Sequence, residues 1–138
     1  MKINLKNKEI IEICRLLSEE DSILNSKTKK VDFDILWDID KNRRTLIDLS
    51  KNIQEMQKSL VDRYADNEHS ILLENGTRSI REECKQDYLE NYMKFNNADN
   101  EVEITPIDIN RLKNSSEGLT PNDFSAIRFM LTKEETSN

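Results

Sequence analysis

The sequence predicts an α+β fold, mainly helical, in which a long central helix packs on shorter helices beside a small antiparallel sheet that includes a β-hairpin. Three observations predict it. A stretch from Asp32 to Tyr64 contains no Gly or Pro and repeats apolar residues at spacings of four and three. An Asn75-Gly76 pair sits between two short apolar runs, "SILLE" and "TRSI". Alternating segments open the chain ("MKINLK") and recur at "EVEITPIDI".

"MKINLK" places Ile3 and Leu5 on one side of a short strand. Asn7 is placed to cap a helix from Lys8 to about Glu20, with Ile10, Ile13, Cys14 and Leu17 on one face. The polar run from Ser22 to Lys30 reads as a loop. In the long helix, Ile35, Ile39, Asn42, Leu46, Leu49, Ile53, Met56 and Leu60 form a heptad seam of coiled-coil type. At ~1.5 Å per residue the helix is ~45–50 Å long. Phe33, Leu36, Trp37, Ile47 and Val61 widen its buried face. Asn42 breaks the seam: it either sets register or partner number, or marks a turn at which the seam meets water.

Asn75-Gly76 predicts a tight type I′ turn, whose two central residues need positive φ. Strands at about His69–Glu74 and Thr77–Ile80 flank it, and form one sheet with the strand near Ile104. A helix from about Arg81 to Phe95 follows, striped by Cys84, Tyr88, Tyr92 and Phe95. Pro106 confines the "EVEITPIDI" strand to an edge or splits it. The last helix has Thr120 as N-cap, Pro121 at its first position and Asp123 three residues after the cap. Its apolar face is Phe124, Ile127, Met130 and Leu131. Residues 1–131 read as one domain and 132–138 as a frayed tail.

The chain has 138 residues, of which 35% are charged and 36% hydrophobic. That is more charged and less apolar than an ordinary globular chain. A thin fold with much wetted surface follows, completed by a partner. Net charge is −6, which disfavours broad affinity for nucleic acid or anionic membrane. Lys27, Lys29, Lys30, Arg43 and Arg44 are a local basic excess, read first as a solvated face and second as a phosphate site. Cys14 and Cys84 lie among helical apolar positions and read as two buried thiols. No signal peptide opens the chain, and no run approaches the ~20 apolar residues of a membrane span. The host cytoplasm is the expected location, with the virion as the other place to look.

The stretch "DIDKN", Asp38 to Asn42, matches half of a calcium loop. Such a loop needs Gly at its sixth position and Glu at its twelfth. These positions hold Arg43 and Leu49, so Asp34, Asp38 and Asp40 read as helix-surface carboxylates complementing the helix dipole. His69, the single histidine, reads as a surface residue. Gly76 and Gly118 are the only glycines, so no phosphate-binding glycine loop and no nucleophile elbow can be written. No catalytic residue, cofactor, metal or small-molecule substrate is expected. Trp37 reads first as core and second as an interface anchor.

The blocks "MKINLKNKEI", "FDILWDIDKNRRTL" and "GLTPNDFSAIRFML" resemble small proteins of tailed phages and prophages of low-GC Gram-positive bacteria. The resemblance implies a phage origin and a protein-binding role, and carries no catalytic residues. The expected function is therefore a non-enzymatic structural or assembly protein acting through its long helix. Its apolar seam exceeds the cover that one short helix can supply. The expected interface is Trp37, Ile39, Asn42, Arg43, Arg44, Leu46, Leu49, Ile53 and Met56, facing a second copy or another protein. Two alternatives stand beside it. One is an acidic inhibitor of a host defence nuclease, motivated by the net charge. The other is a nucleic-acid-binding regulator, motivated by the basic cluster.

Overall fold

The computed structural model describes residues 1–133. It is α+β and mainly helical, as the sequence predicts. Strand β1 (Lys2–Lys6) runs directly into helix α1 (Asn7–Ser18). A loop of turns leads to α2 (Phe33–Asp62), the 30-residue spine. The hairpin β2 (Ser70–Leu72) and β3 (Arg78–Ile80) follows, then a 3-10 turn at Glu82–Cys84 and α3 (Lys85–Asn96). The chain returns through β4 (Asp99–Glu103) and β5 (Ile107–Asp108) to α4 (Ile109–Ser115) and α5 (Pro121–Ile127). A 3-10 turn at Arg128–Met130 and β6 (Leu131–Thr132) close the described chain.

The strands do not form one sheet. β1 pairs antiparallel with β4, placing Ile3 opposite Val102. The hairpin pairs only with itself, so the expected union of hairpin and Ile104 strand is not made. β5 pairs parallel with β6. Pro106 splits the "EVEITPIDI" strand, having no N–H to carry the ladder through. Thr132 belongs to β6 rather than to a frayed tail; 134–138 lie outside the described residues.

One core joins α1, the first two thirds of α2, β4, α4 and α5. Its fully buried members include Ile10, Leu17, Ile35, Ile39, Leu46, Leu112, Ile127 and Met130. Burial on α2 falls on Ile35, Ile39, Asn42, Leu46, Ser50 and Ile53. Those steps average the 3.6 residues of a straight helix, not the 3.5 of a supercoil. A strict heptad on a straight helix drifts by about 20° per repeat. Three repeats beyond Ile35, Met56 has turned about 60° off the buried face and is exposed. Leu49 is half-buried and Ser50 takes its place. Phe33 and Trp37 fall nearly opposite Ile35 and are exposed, 70% and 55%, so neither belongs to the core.

Asn7 is not the cap of α1. It is buried, its amide N–H bonds to Ala98 O at 3.0 Å, and its side chain donates to Phe95 O at 2.7 Å and accepts from Asn100 Nδ2 at 2.8 Å. It ties the end of α3 to the β1–β4 pair. The hairpin turn also differs from type I′. Asn75 has negative φ, and Gly76 alone is left-handed, at +84°. Gly76 N–H bonds to Leu73 O at 3.0 Å and Leu73 N–H to Thr77 O at 2.8 Å. A three-residue loop ending in a left-handed glycine results, a common alternative for this dipeptide.

Thr120 caps α5 as the sequence predicts: its Oγ accepts from Asp123 N–H at 3.3 Å, and Asp123 accepts from Thr120 N–H at 2.8 Å. The expected solvated face is corrected at Lys29. Its ammonium is buried against the Asp123 carboxylate at 3.0 Å and also donates to Asp21 O. Helix α4 escapes the sequence reading, although Asp108 signals it by accepting from Asn110 N–H at 2.7 Å and Arg111 N–H at 3.1 Å.

Candidate functional site

The far end of α2, the hairpin and α3 form an arm that, among the described residues, reaches the core at Phe95. Of residues 56–96, all described, only Tyr64 and Ser70 are buried. The same span exposes Met56, Val61, Ile71, Leu72, Leu73, Leu89 and Met93. The sequence explains why the arm nonetheless has order. Tyr88, Tyr92 and Phe95 are spaced four and three apart, so they form one stripe along α3. Their rings make a ladder with Tyr64: Phe95–Tyr92 centroids are 6.4 Å apart, Tyr92–Tyr88 5.7 Å, and Tyr88–Tyr64 5.0 Å edge to face. Gln57 donates to Tyr92 OH at 2.6 Å, and Asn91 to Tyr64 OH at 2.9 Å. A groove between α2 and α3 is lined by Met56, Leu60, Arg63, Asn91 and Phe95.

Tyr64 OH donates to Asp87 at 2.6 Å. That bond to a carboxylate, with burial, pushes the phenol above its ordinary pKa. A raised pKa means the bond's contribution is complete below pH ~10 and is lost as pH rises through the folded-state value. In an absorbance titration of tyrosinate, Asp87→Asn should bring one tyrosine to ionise earlier than in the wild type. Superimposable curves would show that the bond does not hold the arm.

The expected interface residues separate into two groups. Ile39, Asn42, Leu46 and Ile53 are buried inside the chain, so a partner on α2 cannot meet them without unfolding it. Trp37, Arg44 and Met56 are exposed; Arg43 and Leu49 are half-buried. Asn42 is neither a register device nor an exposed turn. It is 1% exposed, donates to Thr105 O at 2.8 Å and accepts from Thr105 N–H at 2.7 Å. The segment missed by sequence reasoning is therefore α3 with the hairpin, whose Leu89, Met93 and Leu72 remain uncovered. Their signal was present: none falls on the Tyr88–Tyr92–Phe95 stripe.

Helix α2 runs unbroken through "DIDKN". Asp40 holds Arg43 and Arg44, each at 2.9 Å, and Asp38 holds Lys41 at 3.3 Å. With Lys29 also paired, three of the five clustered cations are neutralised locally. The residues that could hold a cation lie elsewhere. Asp66, Glu68 and His69 bring ligand atoms within 4.8 Å of one another on a turn of the arm. Asp66 already accepts the His69 amide at 3.0 Å and lies 2.6 Å from its Nδ1, and this bonding holds the Asp66 carboxyl below its ordinary pKa. Cys14 and Cys84 are free. Burial pushes the Cys14 thiol up, away from reactivity, while the Ser50 hydroxyl beside it pulls the other way. Cys84 is half-buried and ends the 3-10 turn before α3.

Fold and surface define a mainly helical α+β protein with a compact body and an apolar, undercovered arm. No protein-family model, curated protein or solved structure matches the chain. Among the described residues no helix is long and apolar enough to cross a membrane.

Proposed function

We propose that the chain is a non-enzymatic protein-binding module, a phage structural or assembly component, that associates through its arm. The phage origin rests on the resemblance of its three sequence blocks. The binding role rests on one observation: residues 56–96 order a helix pair and a hairpin while burying only Tyr64 and Ser70. Ordering costs about 1–2 kcal/mol per residue in backbone entropy, and an isolated two-stranded hairpin is marginal in water. A second layer of structure removes the deficit.

A second copy supplies such a layer. Two α2–α3 pairs laid together make four helices around Met56, Leu60, Leu89 and Met93, the arrangement of a small bundle. The arm carries six Lys/Arg and eight Asp/Glu over 56–96, so its mixed charges let two copies meet. The acidic-inhibitor reading has no comparable surface behind it, and the nucleic-acid reading has lost most of its basic cluster to ion pairs.

Sedimentation equilibrium tests this directly. The wild type should dimerise with concentration. Met56→Asp with Met93→Asp should weaken dimerisation by more than tenfold, since each buries a charge at a contact. Both positions are exposed in the single chain, so circular dichroism should not change. A wild type that stays monomeric at millimolar concentration rejects self-association.

A further inference from the structure

We propose that the groove between α4 and the α5–β6 segment binds an acidic segment of a partner protein, anchored by an apolar side chain. This surface is separate from the arm and does not depend on the reading of the arm. Its floor is Ile109, Phe124 and Leu131, each half-buried. Its rim is Lys113, Arg128 and Lys133, all exposed. Among the described residues no Asp or Glu lines it. Among the described residues, none of these three cations has a carboxylate within 4.0 Å, in contrast to Arg15, which Glu12 and Glu19 hold.

In a chain of net charge −6, three cations around one groove with no carboxylate among its described lining residues are a local inversion of sign. It attracts carboxylates, and each rim contact adds mainly to encounter rate and specificity. The apolar floor supplies the anchor. β6 pairs only with β5 among the described strands, so its other edge can take an extended segment in β-addition. A nucleic-acid strand would bring phosphates to the rim, but it has no use for an aliphatic and phenyl floor, and the rest of the molecule repels it.

The test is fluorescence anisotropy on the full chain with a dye-labelled peptide of alternating Glu and Leu. Matched probes replace Glu by Lys, or Leu by Ser, and a thymidine oligonucleotide stands for phosphate. The Glu-Leu peptide should bind, and binding should fall as salt rises. Lys113→Glu with Arg128→Glu should weaken it by about tenfold or more, with the thermal melt unchanged. Met56→Asp with Met93→Asp should leave it alone, which separates this groove from the arm. Equal binding of the Lys-Leu peptide, tighter binding of the oligonucleotide, or full binding by the Lys113/Arg128 variant overturns the proposal. So does a wild type that binds nothing; if Glu134→Gln with Glu135→Gln then binds the probe, the groove's occupant is the chain's own C-terminal segment.

Discussion

Asn42→Ala should destabilise the protein by about 3–4 kcal/mol in urea unfolding, from lost hydrogen bonds and a small cavity together. The side chain sits in the core and closes both backbone groups of Thr105, N–H at 2.7 Å and C=O at 2.8 Å. Those groups need it because the chain there belongs to neither sheet. β4 ends at Glu103, β5 starts at Ile107, and Pro106 between them donates nothing. Alanine leaves two polar groups without partners and opens space against Met130, whose sulfur lies 3.3 Å from the Asn42 amide. Asn42→Asp separates the two bonds. It keeps an acceptor for Thr105 N–H but faces the Thr105 carbonyl with a carboxylate, so it should be at least as damaging near neutral pH and partly relieved in acid. A loss of under about 1 kcal/mol for Asn42→Ala would mean that water replaces the side chain and that the Thr105 segment is looser than its geometry.

Lys29→Met should cost about 3 kcal/mol, because it strands a buried carboxylate. Lys29 and Asp123 have side chains only 8% and 4% exposed. The Asp123 carboxylate also accepts from Thr120 N–H and Oγ–H, so it joins the cap of α5 to the loop before α2. The antiparallel bridge of Lys30 with Glu117 runs beside it, with amide bonds of 2.9 and 2.8 Å. Asp123→Asn should also destabilise, because it leaves the buried Lys29 ammonium without a counter-charge, held only by the Asp21 carbonyl and a neutral amide. The double variant should be more stable than the sum of the singles implies, by 1 kcal/mol or more, as expected for contacting residues. Additivity in that cycle would show that the two charges do not act on each other. The effect should survive high salt, since ions screen a buried pair weakly.

Much of the fold was legible because its signals are local. The long uninterrupted helix, the capping box at Thr120 and Asp123, the punctuation at Pro106 and the glycine of the hairpin each depend on residues within one turn of one another. Helix α4 was not read: Asp108 marks its start, but seven residues give too short a period to count. The arm was half legible: the Tyr88–Tyr92–Phe95 stripe was visible, but which residues it leaves uncovered depends on what packs above it.

By itself the sequence determined the long α2, the start of α5 at Thr120, which residues are apolar on each face, and that the chain cannot spell a glycine-loop nucleotide site. Only the tertiary structure decided the rest. It chose Ser50 over Leu49 because the face of α2 turned to the body follows the 3.6-residue step of a straight helix. It sent Phe33 and Trp37 to water, although hydrophobicity alone favours burial. It turned Asn42 into a tie to Thr105 and Lys29 into a buried partner of Asp123, pairs separated by 63 and 94 positions. Periodicity reports on neighbours three and four residues away. It carries no information about a carbonyl or a carboxylate that folding delivers from the other end of the chain, and there the same side chain that looks solvated becomes buried.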